Sequence, residues 1–233
     1  MNFEMLKKYG QEQVLQFWDE LDETGKKQLS TQLDAIDLEH LTELAREYVM
    51  QKPETTIPDD LSPAPFFPLH PRNKEQEELY KKAEKAGHDL IANGKVAALT
   101  VAGGQGSRLG FDGPKGTYPI APVSGKTLFQ YFAESIARIR EKYDTALNWY
   151  IMTSGLNHQQ TVDFFTENNF FGLGSDTVFF FTQGTMPAIS YDGKLLLAAK
   201  DSLALAPDGH GGTLLALHNS GCLKKMKDDG VEY

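Results

Sequence analysis

A chain of 233 residues, 40% hydrophobic and 11% aromatic, is long enough for one large domain or a domain with an appendage, and apolar enough to bury a substantial core. Its net charge of −9, without a long block of like charges, excludes nucleic acid as the main partner. The single cysteine, Cys222, excludes an intrachain disulfide and a cysteine-based metal site, and fits a reducing compartment.

Met1 to Gly10 lacks the apolar core of a signal peptide, and no run approaches the ~18 apolar residues of a membrane span, so a cytoplasmic protein is expected. Residues 3 to 50 carry helical spacing. Met5, Leu6, Tyr9, Val14, Leu15, Trp18 and Leu21 mark apolar faces, and Gly25 is expected to break the pattern. Trp18, at that spacing, reads as core rather than as a ligand platform. Asp37-Leu38-Glu39-His40 predicts a helix start, with Leu38, Leu41, Leu44, Ala45 and Tyr48 on the buried face. Prolines at 53, 58, 63, 65, 68 and 71 make residues 53–73 an extended linker or surface strap, which Phe66 and Phe67 would anchor. Residues 74 to 93 return to helix, with Leu79, Ala83, Ala86 and Leu90 as its apolar stripe and Gly94 as its stop.

From Lys95 the pattern alternates strand and helix. Val96–Val101 predicts a buried parallel strand, and Thr127–Lys142 a helix. A second strand and helix follow over Leu147–Thr153 and Asn157–Asn168. Thr177–Phe181 predicts a third strand. Ile189–Leu196 predicts a hairpin around Asp192-Gly193, and Gly211–Lys227 a last helix. This is an α/β pattern, a Rossmann-like, mostly parallel sheet flanked by helices, behind an N-terminal helical region at 1–52.

The first strand runs into Val101-Ala102-Gly103-Gly104-Gln105-Gly106-Ser107-Arg108-Leu109-Gly110, followed by Pro114-Lys115-Gly116. Glycines there leave room for a ligand against bare backbone, and Arg108 and Lys115 bring charge for a polyphosphate. The loop is not a Walker A motif, because no lysine follows Gly110. Leu109 stands where a dinucleotide fingerprint has its third glycine. Thr153-Ser154-Gly155, ending the second strand, offers no acid for a ribose, which argues against a dinucleotide enzyme. The glycines alone are also compatible with a tight turn that binds nothing.

The run Ala102–Gly110 with Pro114-Lys115-Gly116 resembles the signature of the eukaryotic-type UDP-sugar pyrophosphorylases, and within them is most similar to the UDP-N-acetylhexosamine pyrophosphorylases. Lys126-Thr127-Leu128-Phe129-Gln130, Tyr150-Ile151-Met152-Thr153-Ser154, Phe170-Phe171-Gly172-Leu173, Gln183–Ala188 and Ala206–Gly212 resemble later family blocks in the same order. The resemblance implies a nucleotide-diphospho-sugar transferase fold, incomplete here, with residues 74–233 as the N-terminal part of the catalytic domain. It implies transfer of UMP from UTP to a sugar-1-phosphate, with release of pyrophosphate. Val101, Ala102, Gly103 and Gly104 would lie against the uridine, and Gly209 would let backbone approach the nucleotide. Arg108 and Lys115 would be the catalytic cations on the phosphates. Gln183, which by itself could equally be a polar loop residue, would read the uracil edge. Gly211 and Gly212 would keep a helix start open to an anion.

His210 would contact the sugar. N-acetylhexosamine members carry asparagine at that position, whereas UDP-glucose and broad-specificity members carry histidine. N-acetylglucosamine-1-phosphate is therefore the favoured acceptor, with glucose-1-phosphate or galactose-1-phosphate as the alternative. Mg²⁺ is expected as cofactor, with its ligands beyond residue 233 and no metal ligand within the chain. The chain reads as the N-terminal portion of a longer enzyme, which leaves open a non-catalytic uridine-nucleotide-binding module. His40, His70, His88, His158 and His218 lack ligand-like spacing and read as surface or structural residues.

Overall fold

The computed structural model describes residues 3–51 and 56–233, so Pro53 of the expected linker lies outside the described residues. In chain order the elements are α1 (Phe3–Lys8), α2 (Glu23–Asp34), α3 (Leu38–Leu44), α4 (Lys74–Ala92), β1 (Ala98–Val101), α5 (Leu128–Tyr143), β2 (Trp149–Thr153), α6 (His158–Glu167) and β3 (Val178–Thr182). There follow β4 (Thr185–Pro187), β5 (Leu197–Ala199), β6 (Ser202–Leu203), β7 (Leu205–Pro207), α7 (Thr213–Asn219) and α8 (Cys222–Asp228). They form two compact units: Met1–Ala64 with Thr185–Pro207, and Pro65–Gly184 with Asp208–Tyr233.

In the first unit, Asp22 caps α2 by accepting from the Gly25 amide at 2.8 Å. Gly25 therefore sits buried in the first turn of a helix rather than breaking one, and a Cβ there would lie 3.2 Å from Asp201 Cβ. Asp37 caps α3 through the His40 amide at 3.0 Å, as its sequence context predicts. Leu6, Val14, Leu29, Leu33, Leu38 and Leu41 form a core that Leu195 and Leu203 close. Buried Gln11 donates to the Gly193 carbonyl at 2.9 Å and accepts from the Leu195 amide at 2.9 Å. Residues 185–207, expected within the catalytic portion, thus group with the N-terminal helices, whose apolar face they cover. Tyr48 is exposed instead of buried, because Ala45–Met50 form a π turn that shifts the face.

The second unit is built on a parallel sheet of order β1-β2-β3. Ala98 pairs with Trp149, and Trp149 with Val178. Central β2 is buried along its whole length. Trp149 and Ile151 pack with Phe129, Ala133 and Ile136 of α5 and Phe165 of α6. Tyr150 and Met152, on the other face, pack with Ala216 and Leu217 of α7. Helices thus flank both faces, the α/β arrangement expected.

Three expectations are corrected here. Among the described residues β1 is the outer strand of the sheet, with Leu99 and Val101 45% and 39% exposed, and just before it the Ala97 amide donates to the Tyr233 carbonyl at 2.9 Å. On α4, Leu79, Ala83 and Ala86 are exposed. The helix instead uses Tyr80, whose hydroxyl donates to the Pro68 carbonyl at 2.5 Å, and His88, which pairs with the Tyr143 hydroxyl. The single helix expected over 211–227 is two, α7 and α8, separated where Gly221 takes a φ of +78°. Among the described residues, no helix is long and apolar enough to cross a membrane.

Candidate functional site

The glycine loop leaves β1 at the carboxyl end of the sheet, where open α/β sheets bind ligands. The amide of Ala102 continues the ladder by donating to Met152 O at 2.6 Å. At Gly103 the pairing stops, and the side-chain amide of Gln183 lies against the loop. A Cβ at Gly103 would fall 2.8 Å from Gln183 Nε2 and 2.9 Å from its Oε1, so glycine is what permits this approach. The Gln183 main chain is fixed in turn, its amide donating to the Thr153 carbonyl at 2.8 Å. The uracil-reading candidate and the glycine loop are therefore brought together, from β3 and β1, across the end of β2.

Lys115 joins them. Its amide donates to the Gly104 carbonyl at 3.0 Å, and its ammonium nitrogen lies 3.7 Å from where a Gly104 Cβ would be. The turn that carries it is pinned at Gly116, where a Cβ would stand 2.2 Å from the buried ring of Phe129 at the start of α5. Arg108 sits in a short 3₁₀ turn, Ser107–Leu109, folded back by Gly106 N donating to Gly113 O at 2.9 Å. Both cations are exposed, and neither side chain has an ion pair among the described residues, so their charge is uncommitted.

Gly209 adopts a φ of +67°, opening a 3₁₀ turn, Gly209–Gly212, that leads into α7. Backbone links this turn to Gln183-Gly184, with Asp208 N donating to Gly184 O at 3.1 Å. His210 is exposed. Its carbonyl accepts from Thr213 Oγ1 at 2.8 Å, and its ring bonds to no other candidate residue among those described. Because α7 has only seven residues, its start carries less of the dipole that a long helix would offer an anion.

No group of three or more His, Cys, Asp or Glu that could hold a metal ion occurs among the described residues. Asp208 Oδ1 and Gln105 Oε1 are buried without a hydrogen-bond partner there. A resident protein cage for a metal does not fit these residues.

Thr153 was read from the sequence only as part of a family block and as a strand end without an acid, with no role of its own. It is fully buried, its hydroxyl donates to Phe181 O at 3.1 Å, and it bonds His158 Nδ1 at 2.7 Å. With that hydroxyl proton given to the carbonyl, the ring nitrogen is the donor, a tautomer assigned from the hydrogen-bond pattern. The available signal was a run of polar residues, Thr153-Ser154, ending a strand that is otherwise apolar.

The chain matches known proteins along most of its length. The model of the family described as UTP--glucose-1-phosphate uridylyltransferase (UDPGP) matches residues 38–233. UDP-N-acetylglucosamine diphosphorylase 2 of Arabidopsis thaliana is 38% identical over 99% of this chain and 48% of its own length. The human UDP-N-acetylhexosamine pyrophosphorylase-like protein 1 is 38% identical over 98% of this chain and 47% of its own. The chain spans about half the length of the curated relatives it matches. The solved structure of the uridine diphosphate N-acetylglucosamine pyrophosphorylase from Trypanosoma brucei, in complex with inhibitor, aligns with a TM-score of 0.75 at 26% identity, over 98% of this chain and 48% of that one. A family match over residues 38–233, most of the chain, places this chain in the UTP--glucose-1-phosphate uridylyltransferase family.

Proposed function

We propose that this chain carries the uridine-nucleotide site of a uridylyltransferase that transfers UMP from UTP to a sugar-1-phosphate, forming a UDP-sugar and pyrophosphate. The observation that carries the reading is the packing of Gln183 on Gly103 with Lys115 held against Gly104. Gln183 offers a donor and an acceptor to the O4 and N3–H edge of uracil. Val101, Ala102, Gly103 and Gly104 lie along the uridine, and Gly209 gives the nucleotide a second stretch of close backbone.

Both reactants are anions, so positioning and charge do most of the work. A phosphate oxygen of the sugar-1-phosphate attacks the α-phosphorus of UTP. The bond from that phosphorus to the bridging oxygen breaks, and pyrophosphate leaves with the electron pair. Lys115 and Arg108 stabilise charge on the phosphates, Arg108 through its planar fork. No side chain is needed as a covalent nucleophile. Magnesium carried by the triphosphate would supply further charge neutralisation there. A lone, half-buried Cys222 is consistent with a reducing cytoplasm.

The names of the relatives favour N-acetylglucosamine-1-phosphate as acceptor. His210 favours glucose-1-phosphate or galactose-1-phosphate. Pyrophosphate release from UTP and Mg²⁺, measured with each of the three sugar phosphates, separates them. Release fastest with N-acetylglucosamine-1-phosphate is the expected result, and equal turnover of all three sinks a strict assignment. UTP binding without release would leave the chain as a nucleotide-binding portion only, a reading favoured by its span of half the relatives' length.

A further inference from the structure

We infer that Asn157 is a positioning residue that sets the glycine loop and, through it, Lys115. Asn157 occupies the N-cap position of α6, where asparagine ordinarily accepts from an amide of its own helix. Here the side chain makes no such bond. It is fully buried and turned away. Its Oδ1 accepts from Ser154 N at 2.8 Å and Ser154 Oγ at 3.0 Å. Its Nδ2 donates to Ala102 O at 3.0 Å and Gly104 O at 3.4 Å. The partners are two donors on one side and two carbonyls on the other, so the amide orientation is fixed and its bonding capacity filled.

The consequence lies in what those carbonyls do. Gly104 O also accepts from Lys115 N, so the residue that carries the phosphate cation hangs from the atom that Asn157 holds. Ala102 O and Gly104 O flank Gly103, the glycine against which Gln183 rests. One buried amide therefore fixes the backbone between the uracil-reading side chain and the phosphate-binding side chain. A helix gives up its cap for this, and breaking a local rule in that way marks a site held for function.

The effect on UTP rests on the nucleotide reading above; the effect on the loop does not. Asn157→Asp preserves shape and the two bonds from Ser154, but has no donor for the loop carbonyls. Asn157→Ala removes all four bonds, and Ser154→Ala, the mildest change, removes one. Amide hydrogen exchange on the ligand-free 233-residue chain reads the loop at Gly106 and Lys115, whose amides bond across it, and reads β2 at Ile151. Calorimetric titration with UTP and Mg²⁺ reads the consequence. In Asn157→Asp and Asn157→Ala, exchange at Gly106 and Lys115 is expected to accelerate about tenfold with Ile151 unchanged, and the UTP Kd to rise about tenfold, the equivalent of one net hydrogen bond. Ser154→Ala shifts both in the same direction, by about threefold, and keeps the test decisive where the larger changes fail to fold. Loop amides exchanging at the parent rate, or accelerating only in step with Ile151, overturn the assignment, as does unchanged UTP affinity in a variant whose loop has loosened. A parent chain that binds no UTP defeats the nucleotide reading alone, and exchange still decides the role of Asn157.

Discussion

At Gly103 and Gly116 the same residue type is used against two different neighbours, and the difference predicts different losses. A methyl group at 103 meets the end of a flexible side chain, Gln183, which can move aside at little cost in stability but leaves the position where it reads uracil. Gly103→Ala should weaken UTP binding about tenfold in a calorimetric titration while leaving the urea midpoint nearly unchanged, since one misplaced hydrogen-bonding group accounts for that factor. A methyl group at 116 meets the buried ring of Phe129, which has no space to yield. Gly116→Ala should lower unfolding free energy by about 1–3 kcal/mol, the usual cost of overpacking, measured by urea denaturation. The glycine loop and Lys115 stood out in the sequence by residue type and spacing, whereas Gln183 was reached only through the family resemblance, because by itself it reads equally as a polar loop residue. Asn157 was not. An asparagine before a helix spells a cap, and nothing local reveals that its amide is spent on a loop more than fifty residues earlier in the chain.

At the scale of elements, α5 and α6 hold the site by packing beneath it. Phe165 of α6 is fully buried among Phe129, Trp149, Phe170, Phe171 and Phe180. Asn169, Phe170 and Phe171 are held at φ of +46°, +51° and +53°, a left-handed run whose cost the ring contacts of half-buried Phe170 and Phe171 with Phe165 help to offset. Phe165→Ala should cost about 3–5 kcal/mol of stability, read as a drop in the denaturation midpoint, because a large ring leaves a cavity under that turn. Lys126, just before α5, donates to Glu134 at 2.7 Å and holds its carboxyl below the ordinary carboxylate value. A carboxyl depressed on folding contributes stability above its unfolded titration range, and loses it as pH falls through its folded value. A carbon-detected NMR titration should show the Glu134 midpoint rise in Lys126→Ala. An unmoved midpoint would assign the depression to another group. The alternation of strand and helix was legible because β2 and β3 are short apolar runs between helical patterns. The split of α7 from α8 was not legible, because an isolated glycine is compatible with a helical pattern, whereas the positive φ of Gly221 ends the helix.

At the scale of the whole molecule, the chain folds as two units, each assembled from two separate stretches of sequence. The helical character of residues 3–50 could be read locally, from apolar spacing and the Asp37 cap. Their closure by Leu195 and Leu203 could not, since it depends on pairing across more than 150 residues. The nucleotide reading belongs wholly to the other unit, where β1, β2 and β3 end beside the glycine loop, Thr153 and Gln183. The measurement that tests it most directly is a calorimetric titration of the 233-residue chain with UTP and with ATP, each with Mg²⁺, alongside Lys115→Ala and Gln183→Ala. Saturable binding of UTP in preference to ATP is predicted, with Lys115→Ala weakening both nucleotides and Gln183→Ala erasing the preference. A folded chain that binds neither nucleotide, or binds both equally with Gln183 intact, would contradict the account.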